Sequence, residues 1–395
     1  MVQNAEDAPA RDPEDALIDL MRNASRIVTD SGSLDSRSAR VIDVDHLPVL
    51  ARGCAVMGAG GGGDSLIGVL MAREAILRHG PVPLVDLDDL PDDDLVMPCG
   101  LVGAPTVAIE KLESGEEGVR LAEEVQTLLG RPVAAIMPFE IGGSNGVIPL
   151  TWAARLGLPY VDADGMGRAF PLMPQMTMNL AGVSSSPCLL SDERLNTLVL
   201  RTGSVQWTER LLRSTVAAFG GAGVAALYLM DVKTARRATV RGSVSKALKI
   251  GSVIMRGDVD PVQAIVTELR AQELMRGKVV EVERATAGGF VRGTVLIEDQ
   301  HDATRLLRLE IQNENLAALE DGQVRACVPD IITVLDAASG GVLVTERLRY
   351  GQRVSVIAFP VDPIWRTPEG LAVAGPGAFG YDFEHSEIGA TDAGD

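Results

Sequence analysis

Three stretches of the chain put chemically capable residues where loops are expected, and one cysteine lies just before the first of them. GAGGGGD, Gly58 to Asp64, fits Gly-x-Gly-x-x-Gly at Gly58, Gly60 and Gly63. That spacing lets a backbone turn tightly and approach a dinucleotide phosphate. Gly60, Gly61, Gly62 and Gly63 could equally offer amides to a small ligand, or make room for another part of the protein. PFEIGGSNG, residues 138–146, carries Glu140 and Asn145 beside two glycines whose amides can turn toward a developing oxyanion. The alternative is that both side chains only cap their own loop. VDADGMGRAFP, residues 161–171, sets Asp162 and Asp164 close to Arg168. Such a set can bind a metal, orient a polar heterocycle, or hold a base beside a cation. It can also be an Asx-turn with an internal Asp–Arg pair. Cys54 lies four residues before the glycine turn and is either a small core hydrophobe or a pocket nucleophile.

The elements around these residues explain why they should meet. CAVMG reads as a buried strand, with the glycine loop after it and a helix, SLIGVLMAREAILRHG, capped by Gly80. VPLVDLDDL, DLVMPCGLVGAP, RPVAAIMPFEIGG and LPYVDADG read as further strands, with GVRLAEEVQTLLG and VIPLTWAARLG as helices between them. Repeated strand, loop and helix predict a parallel, Rossmann-like α/β sheet over residues 44–200, with ligands at the carboxyl ends of the strands. Residues 201–380 change texture. Two helical segments, VQWTERLLRSTVAAF and DPVQAIVTELRAQEL, precede a run of β signals from GKVVEVERAT to RVSVIAF, which predicts a smaller β-rich α+β domain. Residues 1–43 read as a weakly ordered arm with one helix, EDALIDLMRNASRIV, and 381–395 as a frayed acidic tail.

Within this frame the dinucleotide reading weakens. Asp86 closes the next strand at the expected distance, but Asp64 falls at the predicted helix N-cap, where its carboxylate would compete with a pyrophosphate. No Lys-Ser/Thr follows the glycines either, which disfavours nucleoside triphosphates, and with Asp64 at the predicted helix N-terminus neither NAD nor ATP is expected to bind. Composition narrows the partners. A net charge of −18 and 4% aromatic residues argue against nucleic acid and anionic membranes. Four scattered cysteines (Cys54, Cys99, Cys188, Cys327) and four scattered histidines signal neither a disulfide framework nor a metal site. The acidic N-terminus lacks a signal-peptide core, so a cytoplasmic protein is expected. An acidic α/β chain of this size is expected to be a homo-oligomer.

GAGGGGD (58–64), GAPTVAIEK (103–111), FEIGGSNG (139–146), GLPYVDADGMGRAFP (157–171) and LRYGQRVSVIAFP (348–360) together resemble the S-methyl thiohydantoin desulfurases, a family found beside hydantoinase and oxoprolinase genes. The resemblance spans roughly residues 44 to 380. Leu172 and Gly377 depart from the family's pattern, which bears on substrate more than on fold. It implies an α/β domain with a glycine loop and a smaller, swivelling β-rich domain. The implied activity is hydrolysis of an S-methylated thiohydantoin to a hydantoin and methanethiol, with no cofactor and no metal. Cys54 would then attack C2 of the ring, Asp162 or Asp164 would manage protons, and Gly60–Gly63, Glu140, Asn145 and Arg168 would hold the substrate. A carboxylate-activated water is the alternative nucleophile. A partner role beside a hydantoinase or oxoprolinase, and a dinucleotide-dependent enzyme, stay as competing classes.

Overall fold

A computed structural model describes residues 41–103, 107, 111–257, 260–287 and 290–388. The predicted N-terminal helix lies outside these residues, as does most of GAPTVAIEK. The chain opens with β1 (Val41–Ile42), α1 (His46–Met57), α2 (Leu66–His79), β2 (Val82–Val85), β3 (Leu95–Gly103), α3 (Glu117–Leu129), β4 (Ala135–Pro138) and α4 (Pro149–Leu156). Short strands β5 (Tyr160–Val161) and β6 (Ala163–Asp164) follow, then β7 (Cys188–Ser191), β8 (Thr197–Leu200), α5 (Val205–Ala218), β9 (Ala222–Ala226), β10 (Met230–Asp231), β11 (Val240–Arg241), α6 (Ser243–Met255) and α7 (Pro261–Leu269). Apart from β6 and β11, which pair only with each other, the strands build a sheet in the order β1-β2-β5-β4-β3-β9-β7-β8, with β10 also on β3. Strands β2, β5, β4 and β3 run parallel, whereas β9, β7 and β8 continue antiparallel. The sheet is therefore mixed, not the parallel sheet expected. Its antiparallel half includes β9, which comes after residue 200.

One element differs in kind. CAVMG is not a strand but the end of α1, whose residues are buried on nearly every side. A short apolar run without polar alternation fits either a buried strand or a buried helix, and here glycines decide. A Cβ on Gly53 would lie 1.8 Å from the Ala247 carbonyl oxygen, and one on Gly251 would lie 1.8 Å from that of Val49. Helices α1 and α6 thus cross backbone to backbone, which only glycine permits at those two positions.

The second sheet is antiparallel: β12 (Gln272–Ala287), β13 (Phe290–Asp299), β14 (Leu306–Gln312), β15 (Glu314–Glu320), β16 (Gln323–Cys327), β17 (Ile331–Asp336) and β18 (Arg353–Phe359), in the order β16-β15-β14-β13-β12-β18-β17. Strand alternation lets β17 and β18 serve two cores. Ile331, Leu335, Ile357 and Phe359 join the core of the first sheet. Ile332, Val334, Val354, Val356 and Ala358 join the core of the second. Thr333 continues the first face, its hydroxyl donating to the Val56 carbonyl at 2.8 Å. The start of the predicted frayed tail is docked: His385 Nε2 sits 3.0 Å from Asp330 Oδ2, and Ile388 packs on the second core. No described helix is long and apolar enough to cross a membrane.

Candidate functional site

The glycine loop is shaped first by other backbone. A Cβ on Gly62 would lie 2.4 Å from the Gly142 carbonyl oxygen, and one on Gly142 would lie 2.6 Å from the Ala169 amide nitrogen. The Ser144 amide donates to the Gly62 carbonyl at 2.8 Å, and the Ala169 amide to that of Met57 at 3.2 Å. Gly60, Gly62 and Gly63 all have positive φ, so the turn suits glycine conformationally as well. The loop follows a helix, not a strand, and so lacks the strand–turn–helix context on which the dinucleotide fingerprint depends. Asp64 is one residue before the N-cap, which is Ser65. Its Oδ1 accepts from the Leu66 amide at 3.0 Å and its Oδ2 pairs with Arg347 at 2.5 Å. Asp86 is spent on the Arg241 guanidinium at 2.5 Å.

Where this loop meets the carboxyl ends of β3 and β4, a cavity of about 190 Å³ opens. It is smaller than the ~300–1,000 Å³ typical of drug-sized sites. Gly62, Gly63, Glu140 and Asn145 line it, together with Phe139, Phe170, Met166 and Met173. Asn145 is held like a strand neighbour: its Oδ1 accepts from the Leu101 amide at 2.6 Å and its Nδ2 donates to the Leu101 carbonyl at 3.2 Å. The same Nδ2 donates to Glu140 Oε1 at 2.6 Å. Glu140 Oε2 is buried with no hydrogen-bond partner among the described residues. Burial pushes the Glu140 carboxyl up to about 8, against the pull of Asn145 and of the Phe170 amide. Glu113 also lines the cavity, and burial pushes it up to about 6.

The other expected residues stand behind the cavity. Asp164 Oδ2 accepts the amides of Ile141 (3.0 Å), Met166 (2.9 Å) and Gly167 (2.7 Å), locking the 139–146 and 164–171 loops together. Burial raises its carboxyl to about 6, opposed by those amides. Asp162 binds the Ser245 amide at 2.9 Å and hydroxyl at 2.5 Å, fixing the first turn of α6. Arg168 is fully buried, its Nη1 donating to the carbonyls of Pro329 (2.8 Å) and Asp330 (2.7 Å) and its guanidinium lying 4.5 Å from the Phe170 ring centroid. Gly60 and Gly61 turn toward the second sheet: the Gly60 carbonyl accepts from the Thr345 amide at 2.9 Å.

Cys54 does not reach the cavity. It lies within α1, fully buried, and a Cβ on Gly146 would touch its sulfur at 2.5 Å. Burial, and then the nearby Asp164 charge, push its thiol well above the usual range, the opposite of an activated nucleophile. Among the described residues no group of three or more His, Cys, Asp or Glu side chains is arranged to hold a metal ion.

Three cavity residues of the second sheet region, Asn313, Glu314 and Arg347, carried no motif in the sequence. Asn313, with a φ of 59°, makes the tight turn between β14 and β15, and Glu314 opens β15. Asn at a positive φ was the one available signal. Glu113 had a better one, lying just past the GAPTVAIEK stretch.

The family model described as S-Me-THD-like, N-terminal domain matches residues 45–202, and S-Me-THD-like, C-terminal domain matches residues 203–388. Among solved structures, a structural-genomics crystal structure of a protein from Chromobacterium violaceum is similar at 26% identity, with a TM-score of 0.74. The match covers 88% of this chain and 99% of that one. No curated protein matches.

Proposed function

The chain belongs to the S-Me-THD-like family, and from that premise we propose that it hydrolyses the C–S bond of an S-methylated thiohydantoin, with Glu140 as general acid and water as nucleophile. The observation that carries this reading is the buried Glu140 carboxyl at the cavity, which keeps its proton up to about 8 and has one oxygen with no hydrogen-bond partner among the described residues. Glu113, at about 6, is ionised at neutral pH. Two carboxyls of one cavity with protonation ranges set apart suit an acid and a base.

The chemistry balances without a redox partner. Glu113 takes a proton from water as the water oxygen bonds to C2, and the C2=N electron pair moves onto the ring nitrogen, which takes the Glu140 proton. The tetrahedral centre then collapses, the C–S bond breaks and C2=O forms. Glu113 passes its proton to the departing methanethiolate and the hydroxyl proton returns to Glu140, so the ring nitrogen and the thiol each gain one hydrogen and both carboxyls are restored. Phe139, Phe170 and the methionines give the ring an apolar bed that keeps bulk water from the acid. A thiol nucleophile is not needed in this scheme.

Methanethiol release from a panel of S-methyl thiohydantoins, by the purified protein without additives, tests the reading. Turnover by the lone chain, and a ~10²–10⁴-fold loss of kcat in Glu140→Gln, are expected. No turnover from any member of the panel would overturn it. Activity that appears only on adding a hydantoinase would favour the partner role instead.

A further inference from the structure

Gly61 is shaped for one side chain. A Cβ there would meet Glu314 Oε1 at 2.3 Å and its Cγ at 2.7 Å, so the glycine loop forms a seat for a glutamate delivered by the other sheet. The delivery is rigid. The Asn315 amide donates to the Ala59 carbonyl at 2.8 Å, the Thr345 amide to that of Gly60 at 2.9 Å, and the Thr345 hydroxyl to that of Asn313 at 2.6 Å. Glu314 is 3% exposed and Glu140 6%, and both line the cavity. Each has one carboxyl oxygen, Oε2, with no hydrogen-bond partner among the described residues, and so does Arg168 at Nη2.

We infer that Glu314 shares a single proton with Glu140 beside the buried Arg168, so that the acid of this cavity is built from both sheets. Charge argues for it. Arg168 feels both glutamates, and the buried trio is neutral only when one of the two carboxyls keeps its proton. Two carboxylates in one desolvated site cannot both ionise cheaply. Burial raises Glu314 well above the ordinary carboxyl range; the Glu140 charge raises it further, Glu346 adds to this, and Arg168 opposes. Glu140 in turn faces Asp164 as well as Arg168. The neighbouring acids have partners of their own. Asp164 is held by three amides, and Asp330, which also acts on Arg168, pairs with Arg366 at 2.7 Å and His385 at 3.0 Å. Neither needs the shared proton.

This inference rests on the cavity's being the active site, yet it can be tested apart from turnover. In the full chain labelled with ¹³C at glutamate carboxyls, the Glu140 resonance, assigned by its loss in Glu140→Gln, is titrated by NMR. Replacing Glu314 by Gln removes a neighbouring negative charge and should lower the Glu140 midpoint by about one pH unit or more, a tenfold change in proton affinity. The coupling energy is reciprocal, so Glu140→Gln should likewise lower the Glu314 midpoint, the larger shift falling on the carboxyl that keeps the shared proton longer. Unmoved midpoints in folded protein would overturn the inference, even with desulfurase activity intact. Coupled midpoints in a chain that turns over no S-methyl thiohydantoin would instead retain the shared proton and remove the proposed reaction.

Discussion

Replacing Glu140 by glutamine removes one titratable proton from the cavity wall and almost none of its volume, so its effect on stability should depend on pH. The native carboxyl holds its proton up to about 8, whereas the unfolded chain releases it near the ordinary 4.5. A group raised on folding adds stability that is complete below its unfolded value and lost as pH climbs to its folded value. Wild type should therefore lose ~1.4 kcal/mol per pH unit across that window relative to the variant, on the order of 5 kcal/mol in all. That figure is an upper one, because Glu314 gains affinity for a proton whenever Glu140 ionises. The glutamine can still accept from Asn145, and its amide group at the Oε2 position costs a constant amount that does not vary with pH. Denaturant unfolding of both proteins from pH 4 to 9 reads the difference directly. Wild type minus variant should be flat near pH 4, fall steadily, and flatten again above pH 8. A difference that stays level throughout would refute the burial argument for Glu140 and, with it, its role as an acid.

Cys54→Ser should cost ~1–3 kcal/mol, since a buried hydroxyl replaces a thiol, while leaving kcat per folded molecule unchanged; a 100-fold loss of kcat in folded protein would return the nucleophile to Cys54. Iodoacetamide should label Cys54 only on unfolding. Gly53→Ala forces a methyl to 1.8 Å from the Ala247 carbonyl oxygen, and loss of more than ~4 kcal/mol or failure to fold is expected; soluble yield and thermal unfolding report it. Gly61→Ala carries no backbone strain, so its cost of ~1–3 kcal/mol comes from displacing Glu314 by about 1 Å. Its melting temperature should fall by a few degrees while kcat drops ~100-fold, and unchanged kinetics would show that the seat has no catalytic purpose.

Much of the site could be read from residue spacing because loops at one edge of a sheet must converge. Glu140, Asn145, Gly62 and Gly63 line one cavity, and Asp164 fastens the loops behind it. The failures have physical causes. CAVMG, beginning at Cys54, reads as a strand because a short apolar run carries no period of its own, and what marks it as a helix crossing is the approach of Gly53 and Gly251, nearly 200 positions apart (251 − 53 = 198), which nothing local reveals. Asp162 and Arg168 looked like chemistry because a charged loop residue has the same appearance whether it serves solvent, substrate or a distant carbonyl. Arg168 serves Pro329 and Asp330, more than 150 positions away. Glu314 was invisible for a related reason: ENLAALE alternates too little to read as β15, and nothing local says that its first residue fits against Gly61.

The placement of β9 between β3 and β7 has a consequence for how this gene can be inherited. The family boundary falls between residues 202 and 203, yet the strand that joins the two halves of the first sheet is encoded 20 residues beyond it. A fission at that boundary would give an N-terminal product with β3 and β7 as open, apolar edges, prone to pair with other chains. The two named domains thus share one sheet and are not structurally separable at that boundary. Nor would a cut after α7, near residue 271, separate the sheets cleanly, because Ile331, Ile357 and Trp365 come back to the core of the first one.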